Sequence, residues 1–170
     1  MKKQMLLTLI VLSSILVGCS SQSDENSSNI VQEMEITLVN GSNITEGLYS
    51  GEVSDDKLPN GKGQLWVNSE EVYINIDGDF KDGSFIDGVI DYSVKTNNKT
   101  ATITEKGIFD EKGLSGDGYS QLDVENGYSI KEIGDFEFGK LNGTGNRYYY
   151  DGKQLFIGEE SGFFKKGELN

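Results

Sequence analysis

Two patterns of apolar positions divide the chain. Residues 5–17 read MLLTLIVLSSILV, a mostly apolar stretch behind Lys2 and Lys3. As a helix its 13 residues would cover roughly 20 Å, short of a hydrocarbon core of about 30 Å. That length predicts the core of a secretory signal, not a permanent span. From about Met34 onward the pattern changes. Apolar and aromatic residues alternate with polar ones in short runs such as VYINIDGDF (72–80), GVIDYSVK (88–95), TATITEKGIF (100–109) and NRYYY (146–150). A period of two, broken by DG, NG and NN, predicts strands joined by tight turns. No later segment sustains a helical period. Between the two patterns, SSQSDENSSNIVQE (20–33) is polar and serine-rich and predicts a flexible linker with a mean reach of about 20 Å. The expected organisation is a leader at 1–18, a linker at 19–33 and an all-β domain at 34–170.

The alternation is itself periodic. A glycine standing two positions before an apolar residue recurs at Gly51, Gly78, Gly107, Gly134 and Gly162, at intervals of 27, 29, 27 and 28 residues. The residues two positions later are Val53, Phe80, Phe109, Phe136 and Phe164. Turn glycines follow at Gly83, Gly113, Gly139 and Gly167, and a third glycine opens the next strand at Gly61, Gly88, Gly116 and Gly143. A repeat of this length predicts an array of units, none of which can bury its apolar face alone. Each unit reads as a hairpin. Glycine inside a strand is costly unless something uses the space, and an aromatic ring from the adjoining strand lying across it is one way to recover the packing.

This grammar resembles the MORN repeat family, including its bacterial antitoxin-like and lipoprotein variants. The stretches that carry the resemblance are YSGEV…NGKGQLWV (49–67), IDGDFKDGSFIDGVIDY (76–92), KGIFDEKGLSGDGYSQL (106–122), IGDFEFGKLNGTGNRYY (133–149) and SGFFKKGELN (161–170). The second copy departs at Ile90, where the closing glycine belongs. The spacing is also longer than the family's usual repeat. The resemblance implies an elongated antiparallel meander of β-hairpins.

A second resemblance sits at the N-terminus. LVGC (16–19) matches the lipobox of bacterial lipoproteins, with Cys19, the only cysteine, at its fixed position. It implies cleavage after Gly18 and a diacylglyceryl group on the Cys19 sulfur, a durable attachment to the extracytoplasmic face of a bacterial membrane.

Charge narrows the partners. The chain carries −13, and losing Lys2 and Lys3 moves it to about −15. Such a body is repelled by nucleic acid and by anionic lipid, and predicts a protein partner with a basic surface.

Candidate chemistry is sparse. There is no histidine, which removes Ser-His-Asp and Cys-His arrangements and the commonest metal ligand. No cofactor, metal or catalytic residue is expected. Asp77, Asp79, Asp82, Asp87 and Asp91 cluster in the second repeat. Yet Asp79 recurs as Glu52 and Asp135, as a scaffold residue does. An EF-hand loop begun at Asp77 would place Lys81 and Asp82 where a ligand and a glycine belong. Trp66, Tyr148 and Tyr150 are the candidate binding residues. Rings on strands either pack a core face or meet a protein or carbohydrate partner. Alternation sends Tyr148 and Tyr150 to one face and Tyr149 to the other. The expected function is a lipid-anchored, non-enzymatic binding or scaffold protein. The alternatives are a surface immunity or antitoxin-like protein and a carboxylate-dependent cell-wall glycan hydrolase.

Overall fold

The structure, a computed structural model, describes residues 8–10, 29–40, 43–96 and 99–170. Among them there is no helix. Twelve strands form one open antiparallel sheet in chain order. They are β1 (Thr8–Ile10), β2 (Asn29–Asn40), β3 (Asn43–Val53), β4 (Pro59–Asn68), β5 (Val72–Lys81) and β6 (Ser84–Thr96), then β7 (Lys99–Asp110), β8 (Gly113–Val124), β9 (Ser129–Glu137), β10 (Lys140–Tyr150), β11 (Phe156–Lys165) and β12 (Glu168–Leu169). The all-β hairpin array is therefore the architecture. Two boundaries differ from the expectation. The domain begins at Asn29 rather than Met34, because the last residues of the presumed linker, Asn29 to Val31, pair with Val53 to Gly51 on β3. Short β1 lies within the apolar leader and pairs with residues 37–39. The rest of the leader, and Cys19 after it, lie outside the described residues.

The repeat glycines share one line. Following register from strand to strand, Gly51 pairs with Gly63, Gly63 with Gly78, Gly78 with Gly88 and Gly88 with Gly107. The row continues through Gly118, Gly134 and Gly145 to Gly162. It crosses nine strands at right angles to them. At Gly134 the reason for glycine is plain. Its φ is +143°, and a Cβ there would strike the Thr144 carbonyl and the Gly145 Cα. Gly78, with φ +153°, would meet the Gly88 Cα at 2.8 Å. Only residues without a Cβ let the backbones approach this closely in that conformation.

Along this line the sheet is creased. A long arm runs from the glycines to the turns near residues 69–71 and 125–128 and to the Thr96–Lys99 end of β6 and β7. A short arm runs the other way to tight turns at Asp82-Gly83, Glu111-Lys112, Phe138-Gly139 and Lys166-Gly167. At Asp82-Gly83 both φ values are positive, +49° and +81°, as a type I′ hairpin requires. In a flat sheet the Gly167 turn would lie roughly 17 Å from the Arg147–Glu160 pair, too far for a side chain to span. Yet Arg147 Nη2 donates to the Gly167 carbonyl at 2.7 Å. The short arm thus folds back over one face of the long arm.

That fold makes the core. Val53, Phe80, Phe109, Phe136 and Phe164 all lie on the short arm and are buried. Each buried ring contributes roughly 1.5–3 kcal/mol. Over the glycine row itself lie other side chains. Tyr49 covers Gly63, Leu114 covers Gly118 and Leu141 covers Gly145. The phenylalanines do pair opposite the opening glycines, Phe80 with Gly61, Phe136 with Gly116 and Phe164 with Gly143. It is the Glu52 and Asp135 side chains, however, that fill the space a Cβ would take at Gly61 and Gly143. The expectation of a ring across a glycine holds for Tyr49 at Gly63 and is corrected for the phenylalanines. Positive φ at these glycines turns the vacant Cβ position away from the core.

Register also corrects the alignment of the second copy. Gly88 belongs with the closing glycines Gly63, Gly118 and Gly145, and Ile90 is an ordinary strand residue. PNGKG, LSGDG and LNGTG each hold two bulged residues beyond the short-arm pair, whereas FIDG holds one. The opening glycine is deleted there, not moved. Pairing between β6 and β7 accordingly ends at Asp87–Ile108, just past the crease.

Candidate functional site

The two faces of the long arm differ in chemistry. On the outer face one cross-strand row runs Leu48, Trp66, Asn75, Asp91, Thr104, Gln121, Lys131, Tyr148 and Glu159. Trp66 and Tyr148 therefore share a face and a row, but they stand six strands apart, about 29 Å. Tyr150 joins Tyr148 on β10, and its ring meets Phe156 edge-on at 6.0 Å. The structure does not gather the three into one site. Each is half-buried among polar neighbours. Those neighbours are largely satisfied by one another. Gln64 donates to Asn75 at 3.1 Å, Thr104 to Asp91 at 2.7 Å and Gln121 to Asp123 at 2.7 Å. The Tyr119 hydroxyl donates to Gln121.

The second-repeat carboxylates do not converge either. Asp79 takes Lys62 at 2.5 Å, while Asp91 holds Thr104. Asp135, at the repeat position of Asp79, accepts from the Thr144 N–H at 3.0 Å. These are roles within hairpins. No group of three or more acidic or cysteine side chains among the described residues is placed to hold a metal ion.

The inner face is different. Between it and the folded-back short arm runs a groove of about 1430 Å³. Two cross-strand rows of the inner face run past it, and their Leu65, Ile74, Ile76, Ile90, Tyr92, Ile103, Glu105, Glu132 and Arg147 line it. The first is apolar throughout, with Val67, Ile74, Tyr92, Ile103, Leu122, Ile130 and Tyr149. The second begins apolar at Leu65, Ile76 and Ile90, then becomes Glu105, Ser120, Glu132, Arg147 and Glu160. The short arm contributes Phe80, Phe85 and Phe109 below and the turn residues Lys81, Lys112 and Lys140 at the rim. The rings of Tyr49, Phe80, Phe85 and Phe109 follow one another at 5.2, 5.4 and 4.9 Å.

Arg147 organises the ionic end. Its Nη2 lies 2.6 Å from Glu132 Oε1 and its Nη1 lies 3.0 Å from Glu160 Oε2. Its guanidinium also sits 5.2 Å over the Phe164 ring. The Tyr149 hydroxyl donates to Glu160 at 2.9 Å. Burial, the largest single influence, would lower the Arg147 pKa, but the hydrogen bonds and charges of Glu132 and Tyr149 together outweigh it and the net shift is upward. Glu105 stands apart. It forms none of the ion pairs or side-chain hydrogen bonds of the described residues. Burial, and then the charge of Glu132, raise its carboxyl above the usual range. At the other end Tyr49, buried and beside Glu52, is pushed up to about 12 and donates to the Glu52 carbonyl at 2.8 Å.

Glu105, Glu132 and Arg147 were not among the candidates drawn from the sequence. Their signal was parity. In ATITEKGIF the apolar positions Ala101 and Ile103 are followed two residues on by Glu105, an acid on the core-facing phase of the strand. Set against known families and curated proteins, the chain matches no family model and no curated sequence.

Proposed function

We propose that this chain is a lipid-anchored protein of the extracytoplasmic face of a bacterial membrane that binds a protein partner through its repeat sheet, without covalent chemistry. One observation carries the binding reading. The crease leaves a long, apolar-floored groove open along the inner face, with a volume beyond that of typical small-molecule pockets of about 300–1,000 Å³. The carboxylates that a hydrolase would need are spread over the hairpins, where several close ion pairs or accept from backbone and side-chain donors. The anchoring reading rests on LVGC at 16–19 behind the basic and apolar leader. Cleavage after Gly18 would also remove β1 and leave residues 37–39 of β2 as a free edge.

Two experiments test the proposal. Metabolic labelling with a lipid precursor should mark the wild-type chain and fail with Cys19→Ser; an unlabelled wild type ends the anchoring reading. The Cys19→Ser chain, immobilised and exposed to native envelope and secreted fractions, should retain one specific protein. Retention of glycan alone would shift the site to the tyrosines of the outer face, and hydrolysis of wall material would replace binding with catalysis.

A further inference from the structure

The floor of the groove is not charge-balanced. Within one cross-strand row, the carboxylates Glu105, Glu132 and Glu160 share a single guanidinium, Arg147. Arg147 is engaged by the two acids beside it and by the Gly167 carbonyl. Glu105 is left over, three strands from Arg147, between Ile90 on one side and Ser120 on the other. The rim lysines Lys81, Lys112, Lys140 and Lys166 line the same groove, but none closes an ion pair with Glu105. Those lysines are opposed at the rim by Asp82, Asp110, Glu111 and Glu168. The surplus negative charge therefore lies at the floor, among isoleucines.

A half-buried carboxylate without a cation is costly, and here it holds nothing in the fold. A few placed polar groups beside apolar surface fix the orientation and identity of an occupant, and Glu105 is the floor charge that no group among the described residues satisfies. The groove runs from Ile74 and Ile76 on β5 to Arg147 on β10, five strand spacings or about 24 Å, and its floor is apolar as far as Ile103 on β7. That is the length of a short peptide segment rather than of a metabolite. An acyl chain would fit the isoleucines but would leave Glu105 unpaired against hydrocarbon.

We infer that the groove takes an apolar segment of a partner protein that carries one lysine or arginine, its apolar side chains lying on Ile90, Ile103 and Phe109 and its cation meeting the Glu105 carboxylate. This rests on the binding reading above and names the site and the chemistry of the partner. In such a complex Glu105 would become the counterpart of Glu132, which has its cation within the chain.

The test uses selection from a random peptide display library on the mature Cys19→Ser chain. The recovered peptides should be apolar with a single lysine or arginine. They should bind Glu105→Gln at least tenfold more weakly, and Glu159→Gln, on the outer face, unchanged. Backbone amide shifts on peptide addition should concentrate on β6 to β9 around residues 90, 103 and 105. Glu105→Gln removes an unpaired charge, so it folds and the comparison is secure. Recovery of no peptide, of peptides without a cation, or of peptides indifferent to Glu105→Gln overturns the inference. Shifts centred on Tyr119 and Tyr148 overturn it as well and leave the binding reading standing on the other face. An envelope partner captured equally by wild type and Glu105→Gln has the same meaning, whereas an empty capture removes the binding reading itself.

Discussion

The two halves of the sheet use one scaffold and fill it differently. In the half from β2 to β6 the crease closes on a dry cluster of Ile36, Tyr49, Val53, Leu65, Val67, Ile74, Ile76 and Phe80. In the half from β7 to β12 the cluster is smaller, with Phe109, Leu114, Phe136, Leu141 and Phe164. There the long arm presents Glu105, Glu132, Arg147 and Glu160, and a guanidinium rather than an aliphatic side chain ties the arms together. The clusters meet only through Phe85 and Ile90, beside the copy that lost its opening glycine. The glycine row sets the crease, and the residues two positions beyond it set what the crease contains. The groove crosses both halves, with Leu65, Ile74 and Ile76 at its apolar end and Glu132 and Arg147 at its ionic end.

The sharpest way to break this comparison is to break what the halves share. Gly134→Ala adds a methyl group onto the Thr144 carbonyl in a strained backbone. It should cost about 3–5 kcal/mol or prevent folding, read by urea unfolding. Gly158→Ala, on β11 off the row and with open space around it, should change stability by less than about 0.5 kcal/mol. Equal effects at both positions would remove the crease from the account.

The next test separates the halves. Leu65 and Leu141 are both fully buried, one in each cluster. Replacing either with alanine should cost about 2–5 kcal/mol. Hydrogen exchange should localise the loosening to β3–β6 for Leu65→Ala and to β9–β12 for Leu141→Ala. Uniform loosening in both would mean a single cooperative core.

Smaller still is the ionic brace. Arg147→Met leaves Glu132 and Glu160 without a cation. Both acids keep some contact with solvent, at 17% and 36% exposure, so the loss should be about 1–3 kcal/mol rather than the 3–5 of a fully buried pair. Arg147→Lys should restore only part of it, since lysine lacks the fork that spans two carboxylates and a carbonyl.

Glu105→Gln should act in the opposite direction. The folded carboxyl titrates above its unfolded value, so between the two the folded state binds more protons and stability falls as pH rises. At neutral pH the wild type carries that penalty in full. The glutamine variant should melt about 1–3 °C higher there and lose the slope just above the ordinary glutamate range. A lower melting point would mean that Glu105 has a cation within the chain after all. Least of all, Lys62→Ala should leave the unfolding midpoint unmoved, because the Lys62 end of its bridge to Asp79, one pair from the glycine row, is 73% exposed.

What the sequence determined by itself was local. Alternation made strands, and the interval between glycines made an array of hairpins; Asp82-Gly83 made a turn, whereas DG at 77–78, 87–88 and 117–118 and NG at 60–61 and 142–143 lie within strands at the crease. The positions of Phe80, Phe109, Phe136 and Phe164 were legible because they recur. Each of these follows from the pairing geometry of a strand and its neighbour in the chain. The tertiary structure decided the rest. That Gly51, Gly78 and Gly134 lie on one line with Gly63, Gly88 and Gly145 is a matter of register, and register depends on bulges that a sequence spells ambiguously. FIDG could be aligned by either end until Gly88 was seen opposite Gly107. Which face became the inner one depended on the crease, and a crease has no signature within a single strand. The meeting of Arg147 with Glu132, Glu160 and Gly167 joins residues up to 20 positions apart, while Glu105 is left alone. No local pattern could foretell that, because it arises only when the short arm folds over the long one.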